Sequence, residues 1–217
     1  NNLSKRRQEM QGFDSKLIFT RDLFGRPSQL SMGASYLKGT TTFIANVELS
    51  QLDPLTRSTE GLGVGSFVDD QATNINTESE VFSLYIVNTL DLSDRLTLTM
   101  GGRYNDTDVT LRDRSGERPE LNGDHNFARF NPSVGVTYDA TDNLNVYASY
   151  SESNRVPTPI ELACNEGVFT LAREFAIAAG EDPDDIDFEC RLPNAFLADP
   201  PLDDVVTKSL ELGLRGN

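Results

Sequence analysis

"PSVGVTYDATDNLNVYASYSESNRVPTPIEL", residues 132–162, is two alternating runs joined by the turn-formers "ATDN" at 140–143 and closed by a proline-containing segment. Alternation with a period of two is the signature of strands whose two faces meet different surroundings. In the first run Phe130, Pro132, Val134, Val136 and Tyr138 share one face, and Arg129, Asn131, Ser133, Gly135 and Thr137 share the other. The second run sets Leu144, Val146, Ala148 and Tyr150 against Asn145, Tyr147, Ser149 and Ser151. Upstream, the run after "LSDR" repeats the pattern, with Leu96, Leu98, Met100, Gly102 and Tyr104 opposite Thr97, Thr99, Gly101, Arg103 and Asn105.

Extended over the chain, the same periodicity predicts strands at 15–23, 28–37, 79–91, 95–108, 127–139, 144–152 and 205–215. The predicted connections alternate in length. Those at 24–27, 92–94 and 140–143 are short, and those at 38–78, 109–126 and 153–204 are long. Within 39–78, "TTFIANVELSQL" reads equally as a further strand or as part of a long excursion. A soluble β-sandwich shows the same alternation of faces. Alternating loop length is the habit of a transmembrane barrel, which has short turns at one end and long loops at the other. Tyr104, Tyr138 and Tyr150 fall near predicted strand ends, where an aromatic girdle would meet lipid headgroups.

Composition excludes some partners. Among 217 residues the formal net charge is −15 and the sequence pI is about 4.4, so nucleic acid is not an expected ligand. Mean hydropathy is −0.40, and no apolar run is long enough for a membrane helix. The opening "NNLSKRRQEMQGFDSK" lacks the apolar stretch of a signal peptide, so the expectation is a cytoplasmic protein or a piece of a longer chain.

Five segments in series resemble one family. "GGRYN" (101–105), "FNPSVGVTY" (130–138), "YASYSESNRVPTPIEL" (147–162), "LPNAFLADPPL" (192–202) and "KSLELGLRG" (208–216) are similar, in order and spacing, to the barrel of TonB-dependent outer-membrane receptors. The resemblance is strongest over 79–216. It implies an all-β fold: an antiparallel transmembrane β-barrel segment, part of a barrel of about 22 strands with a plugged lumen, long extracellular loops and a short loop helix. Residues 1–217 are then expected to be a partial barrel domain, an internal piece lacking the plug, the TonB box and a C-terminal strand ending in an aromatic residue. The implied partners are a TonB energy-coupling complex acting through the plug, outer-membrane lipid and lipopolysaccharide, and an iron chelate or other small ligand.

Several residues stand out as site candidates. Pro157 and Pro159 cannot donate to a ladder, so pairing is expected to end there, with Arg155 and Glu161 bracketing the exit and pairing with each other or with neighbouring loops, a structural role set against direct ligand contact. Cys164 and Cys190 are the two cysteines, and both lie in the longest predicted loop. An oxidising compartment would join them, closing a loop worth roughly 3–4 kcal/mol in chain entropy. A two-cysteine metal or redox site is the rival reading, though no C-x-x-C is present. Between the cysteines, "VFTLAREFAIAAG" places Phe169, Ala172, Phe175 and Ala176 at helical spacing, with Gly180 as C-cap.

Arg112, Arg114 and Arg118 are weak ligand-binding candidates, set against the alternative of strand-end charge. "EDPDDIDFE" (181–189) reads as a solvated acidic loop rather than a calcium loop. His125 is the sole histidine, and no catalytic constellation, metal site or cofactor is expected. Three functional classes remain open: an energised receptor, which the resemblance favours and for which a ferric siderophore is the expected cargo; a passive porin or adhesin-like barrel; and a soluble β-sandwich binding module.

Overall fold

A computed structural model describes residues 2–62, 67–164, 166–186 and 202–216. It contains strands β1 (Asn2–Leu23), β2 (Arg26–Glu48), β3 (Ser50–Leu52), β4 (Thr59–Gly61), β5 (Phe67–Ser93), β6 (Leu96–Asp113), β7 (Gly123–Thr141), β8 (Leu144–Arg155) and β9 (Val205–Gly216). Two helices, α1 (Pro159–Ala163) and α2 (Glu166–Ala179), lie between β8 and β9. Seven strands form one antiparallel sheet in the order β1-β2-β5-β6-β7-β8-β9, open along β1 and β9. All seven predicted strands are in it.

The boundaries differ from the sequence expectation in one consistent direction. The strands run much further at the long-loop end. Residues 2–14 and 38–48, expected outside strands, continue β1 and β2, and β5 begins well before residue 79. "TTFIANVELSQL" is therefore mostly the upper part of β2, in register with β5, and supplies no additional barrel strand. Its end enters the small β3–β4 hairpin. The expected 109–126 loop shrinks likewise, because β6 continues to Asp113 and β7 starts at Gly123. At about 3.3 Å per residue, the 23 residues of β2 span roughly 75 Å. Tilted about 40°, such a strand rises roughly 57 Å, about twice the ~25 Å apolar band of a membrane barrel. The strands consequently stand far proud of the band.

At the other end the chain reverses tightly. Phe24 (φ 54°) and Gly25 (φ 74°) both adopt left-handed backbone between the paired residues Leu23 and Arg26, a two-residue turn whose twist matches the flanking strands. The turns at 94–95 and 142–143 are as short, each following a register shift, at Asp91/Ser93 and Asp139/Thr141.

Register settles the faces. Leu17, Met32, Ile86 and Gly102 form one cross-strand row, flanked by rows containing Phe13–Tyr36–Phe82 and Tyr104–Phe130 on one side and Leu96–Tyr138 near the turns. This face keeps large apolar side chains exposed, including Phe13, Leu84, Ile86, Phe130, Val134, Val146 and Leu212. Tyr104 marks the edge of that band but sits mid-way along β6, and Tyr150 likewise sits inside β8, because the strands continue past them. Eight residues separate Leu96 from Tyr104. Along a strand tilted about 40° that is a height of roughly 20 Å, close to a bilayer's hydrocarbon requirement.

The opposite face is polar beside the band and turns apolar above it. There Ile75, Val109, Leu111, Leu121, Leu162 and Ala163 make a buried cluster, with Phe43, Phe127 and Val168 packed against it. Phe43 and Ile75 are direct cross-strand partners, as are Thr107 and Phe127. The β8–β9 connection folds over the protruding strands: α1 rests on β6, and α2 on the 3₁₀ turn Pro119–Leu121. The folded core of this chain is this cap.

Candidate functional site

Below the cap, the polar face holds an open recess of about 350 Å³ lined by Tyr85, Arg103, Asn105, Asn131, Ser133 and Asn154, among others. Its geometry follows from a change in pairing. β7 and β8 are in register only up to Ser133–Ser151, whereas β8 stays paired with β9 as far as Arg155–Val205. Above Ser151 the two strands part, and side chains bridge the seam. Asn154 Oδ1 accepts from Asn131 Nδ2 at 2.8 Å and from Asn105 Nδ2 at 3.1 Å, and Glu152 accepts from Arg129 at 3.1 Å. Asn131 is only 7% exposed, and its Oδ1 has no partner; Arg129 Nε is also buried without one.

Arg103 crosses this wall. From β6 its Nε donates to Asn105 Oδ1 at 2.8 Å, and Nη2 reaches Ser35 Oγ on β2 at 3.2 Å. Ser35, Ser83 and Asn105 are successive cross-strand partners, so the guanidinium passes over Ser83, which is fully buried with Oγ unpaired. Both of its anchors are neutral. Another recess, of about 430 Å³ and lined by Leu17, Met32, Leu84, Ile86, Tyr104 and Phe130, lies on the apolar face. It has no chemistry to offer beyond contact with hydrocarbon.

The cap is fastened at its root. Arg155 Nη1 and Nη2 donate to the two carboxylate oxygens of Glu161 at 2.9 and 3.1 Å. Thr158 accepts from the Glu161 backbone N–H, while Glu161 accepts from the Thr158 N–H at 2.6 Å, a capping box that starts α1. The Arg155 guanidinium, followed by the Thr158 donors, holds the Glu161 carboxyl down at about 2. Pro157 is fully buried. Ladder pairing by β8 does stop at Arg155. At its far end α2 closes with Gly180 at φ 80°, the Glu181 N–H reaching Ala176 O at 2.9 Å and the Gly180 N–H reaching Ile177 O at 3.1 Å. Ala172 and Ala176 are buried as the spacing predicts, but Phe175 is 45% exposed and is not part of the packed face. Small residues let α2 approach the 3₁₀ turn closely, and the larger ring is left outside.

The three arginines proposed from sequence are not brought together. Arg112 points to the outer side, where Nη2 pairs with Asp124 at 2.5 Å. Arg118 is buried, its Nε donating to Ala72 O at 3.2 Å. Arg114 is exposed, and its backbone N–H donates to Asn74 O at 2.7 Å. Their loop is organised by Asp113. Burial would raise that carboxyl, but hydrogen bonds from Ser115, Arg118 and Gly116 outweigh it and hold it below the usual range. Cys164 is the C-cap residue of α1, and Cys190 lies outside the described residues. So does the end of "EDPDDIDFE", of which Asp184 pairs with Arg173 at 2.9 Å. His125 stacks on Phe127, and burial lowers its pKa. Among the described residues, no three His, Cys, Asp or Glu side chains are grouped as metal ligands. The recess residues Arg103, Asn105, Asn131 and Asn154 are not singled out by sequence; the first three have visible polar-face parity, whereas Asn154 lies past the predicted end of its strand.

A family model described as "TonB dependent receptor-like, beta-barrel" matches residues 1–217, the whole chain. The chain belongs to the TonB-dependent receptor β-barrel family. Among solved structures, the ferric citrate transporter FecA in its unliganded form is similar over 99% of this chain and 26% of its own, at 16% identity and TM-score 0.64. The alcaligin outer-membrane receptor FauA from Bordetella pertussis covers 99% of this chain and 27% of its own, at 15% identity and TM-score 0.59. The siderophore receptor PiuA from Acinetobacter baumannii covers 96% and 29%, at 14% identity and TM-score 0.55. At these identities the likeness is one of fold. The chain spans just over a quarter of the length of these receptors. No curated protein matches it in sequence. In barrels of this family the polar face is the lumen side and the apolar band faces lipid.

Proposed function

We propose that this chain is part of the wall of an outer-membrane receptor that captures a ferric siderophore at its extracellular mouth and admits it under the pull of a TonB complex on a plug. The observation that supports this most directly is the placement of the cap. α1 and α2 stand on the lumen side of strands that rise beyond the apolar band, above a polar recess, where an incoming ligand meets them first. The family match over the whole chain and the siderophore receptors among its structural neighbours support the same reading. In this arrangement the long strands form a rigid collar, the lumen wall supplies polar contacts, and no bond in the cargo is made or broken. The barrel lies in the outer membrane, with lipid and lipopolysaccharide around the apolar band, and Cys164 and Cys190 join in that oxidising setting.

The test separates binding from uptake in the full-length receptor. Labelled ferric siderophore should bind to cells with or without the coupling complex, but accumulate only when the complex is present. Accumulation at full rate without the complex would favour a passive porin instead.

A further inference from the structure

β7 and β8 stop pairing at Ser133–Ser151, yet neither strand ends there: β7 continues against β6 to Gly123, and β8 against β9 to Arg155. The parting begins level with Gly101, close beneath the Tyr104–Phe130 row at the upper edge of the apolar band. Among the described residues, three side-chain hydrogen bonds from Glu152 and Asn154 stand in for the missing ladder. They are an incomplete replacement. Arg129 Nε, a donor, and Asn131 Oδ1, an acceptor, are both buried at this junction without a partner. A buried polar atom left unmatched costs at least as much as one such bridging hydrogen bond contributes. The bridges by themselves therefore do little more than offset the two unmatched groups, and opening the junction would admit water to both.

The cap supplies the remaining hold. Arg155, the last residue of β8, grips Glu161 with both terminal nitrogens, the intervening Pro157 is buried, and the capping box at Thr158 starts α1. The top of β8 and α1 are thereby joined into one body with no slack between them. On the far side of the junction, Leu162 and Ala163 of α1 share a buried cluster with Val109 and Leu111 of β6. One short helix thus ties β8 to a strand that β8 never pairs with.

We propose that cap and wall form a single two-state switch: with α1 seated on β6 the junction is closed, and when α1 lifts, the upper ends of β8 and β9 part from β7. Such coupling is reciprocal, so whatever favours the seated cap also holds the wall closed, and whatever spreads the wall releases the cap. It does not depend on which cargo the barrel carries.

The test uses full-length receptor and reads each half of the switch from a change made in the other. Asn154→Ala lies outside the cap and deletes two of the three bridges; it should speed amide hydrogen exchange in α1 and α2 roughly 10-fold and leave the β1–β2 ladder unchanged. Leu162→Ala, in the cap, should add a longer component to the distance distribution between nitroxides at Ala128 and Val205, on the two sides of the junction. Nitroxides at Val136 and Leu212, below the parting, should keep their wild-type distance. If Asn154→Ala does not assemble as a heat-modifiable barrel, Glu152→Gln, which weakens the third bridge, takes its place with the same direction of effect. Cap exchange at the wild-type rate, or an Ala128–Val205 distribution indifferent to Leu162→Ala, would overturn the proposal. Faster exchange throughout the barrel, or equal broadening for both nitroxide pairs, would overturn it as well, because the loss would then be one of general stability.

Discussion

Tyr85 of β5 lies flat across Gly33, its direct cross-strand partner on β2, so that a Cβ at Gly33 would come within 2.5 Å of the phenol ring and of the Ser15 carbonyl oxygen. Tyr147 covers Gly213 in the same way on β8 and β9. A glycine that would otherwise weaken a strand is thus roofed by an aromatic from its neighbour. Gly33→Val should cost about 1–3 kcal/mol of assembled barrel through overpacking. Removing the ring as well, in the Gly33→Val/Tyr85→Ala pair, should recover only part, since the Ser15 carbonyl remains. Urea titration of heat-modifiable barrel measures this, and a wild-type midpoint for Gly33→Val would count against the packing described.

The Glu161 clamp makes the cap sensitive to acid. Its folded-state value of about 2 lies below the ordinary 4.5, so the stabilisation is complete above about pH 4.5 and is lost as pH falls toward 2. Glu161→Gln keeps the capping box but loses the partly exposed ion pair, and should remove up to about 1 kcal/mol at neutral pH and abolish the acid dependence. Hydrogen exchange across α1 and α2 at pH 7 and pH 3 is the measurement. Equal protection at both pH values in the wild-type receptor would refute the clamp.

Faces assigned by register give a sharper contrast. Arginine in place of Leu98, Val134 or Val146 should cost about 2–4 kcal/mol near the midplane, whereas arginine at Thr97 or Ser133, one residue away on the lumen side, should be tolerated. Equal tolerance of both sets, read as barrel assembled in the outer membrane, would contradict the assignment.

Cys164 and Cys190 are predicted to be joined in receptor recovered from outer membranes. Intact mass after alkylation without reductant should show no added alkyl groups. Two added groups would exclude the bridge.

Much of this architecture was legible as parity. Leu96 to Tyr104 and Phe130 to Tyr138 sort onto one face by counting, and the strand order follows from consecutive hairpins. Strand length was not legible. Above the band, outward residues such as Asp106 and Asp108 are polar, while Val109 and Leu111 turn apolar toward the cap, so the alternation inverts and reads as loop. The Arg155–Glu161 pair could be read because both partners flank one proline-rich exit. Arg103 could not, because its partners Asn105 and Ser35 lie on two strands separated by β5, and only register brings them together. Arg112, Arg114 and Arg118 show the reverse: near in sequence, they diverge because a strand end and a tight turn point successive side chains apart.

The parting of β7 from β8 gives the collar a built-in line of weakness. Above Ser133–Ser151, two panels, β1 to β7 and β8–β9, meet without a ladder. Among the described residues, what spans the seam is three stitches, Asn154 to Asn131, Asn154 to Asn105 and Glu152 to Arg129, and the strap formed by α1 on β6 and α2 on the 3₁₀ turn Pro119–Leu121. A force applied at the mouth is therefore carried across this seam by side chains and by the two cap helices rather than by backbone hydrogen bonds. The β8–β9 connection is thus a fastener for the wall as well as a cover over its polar face.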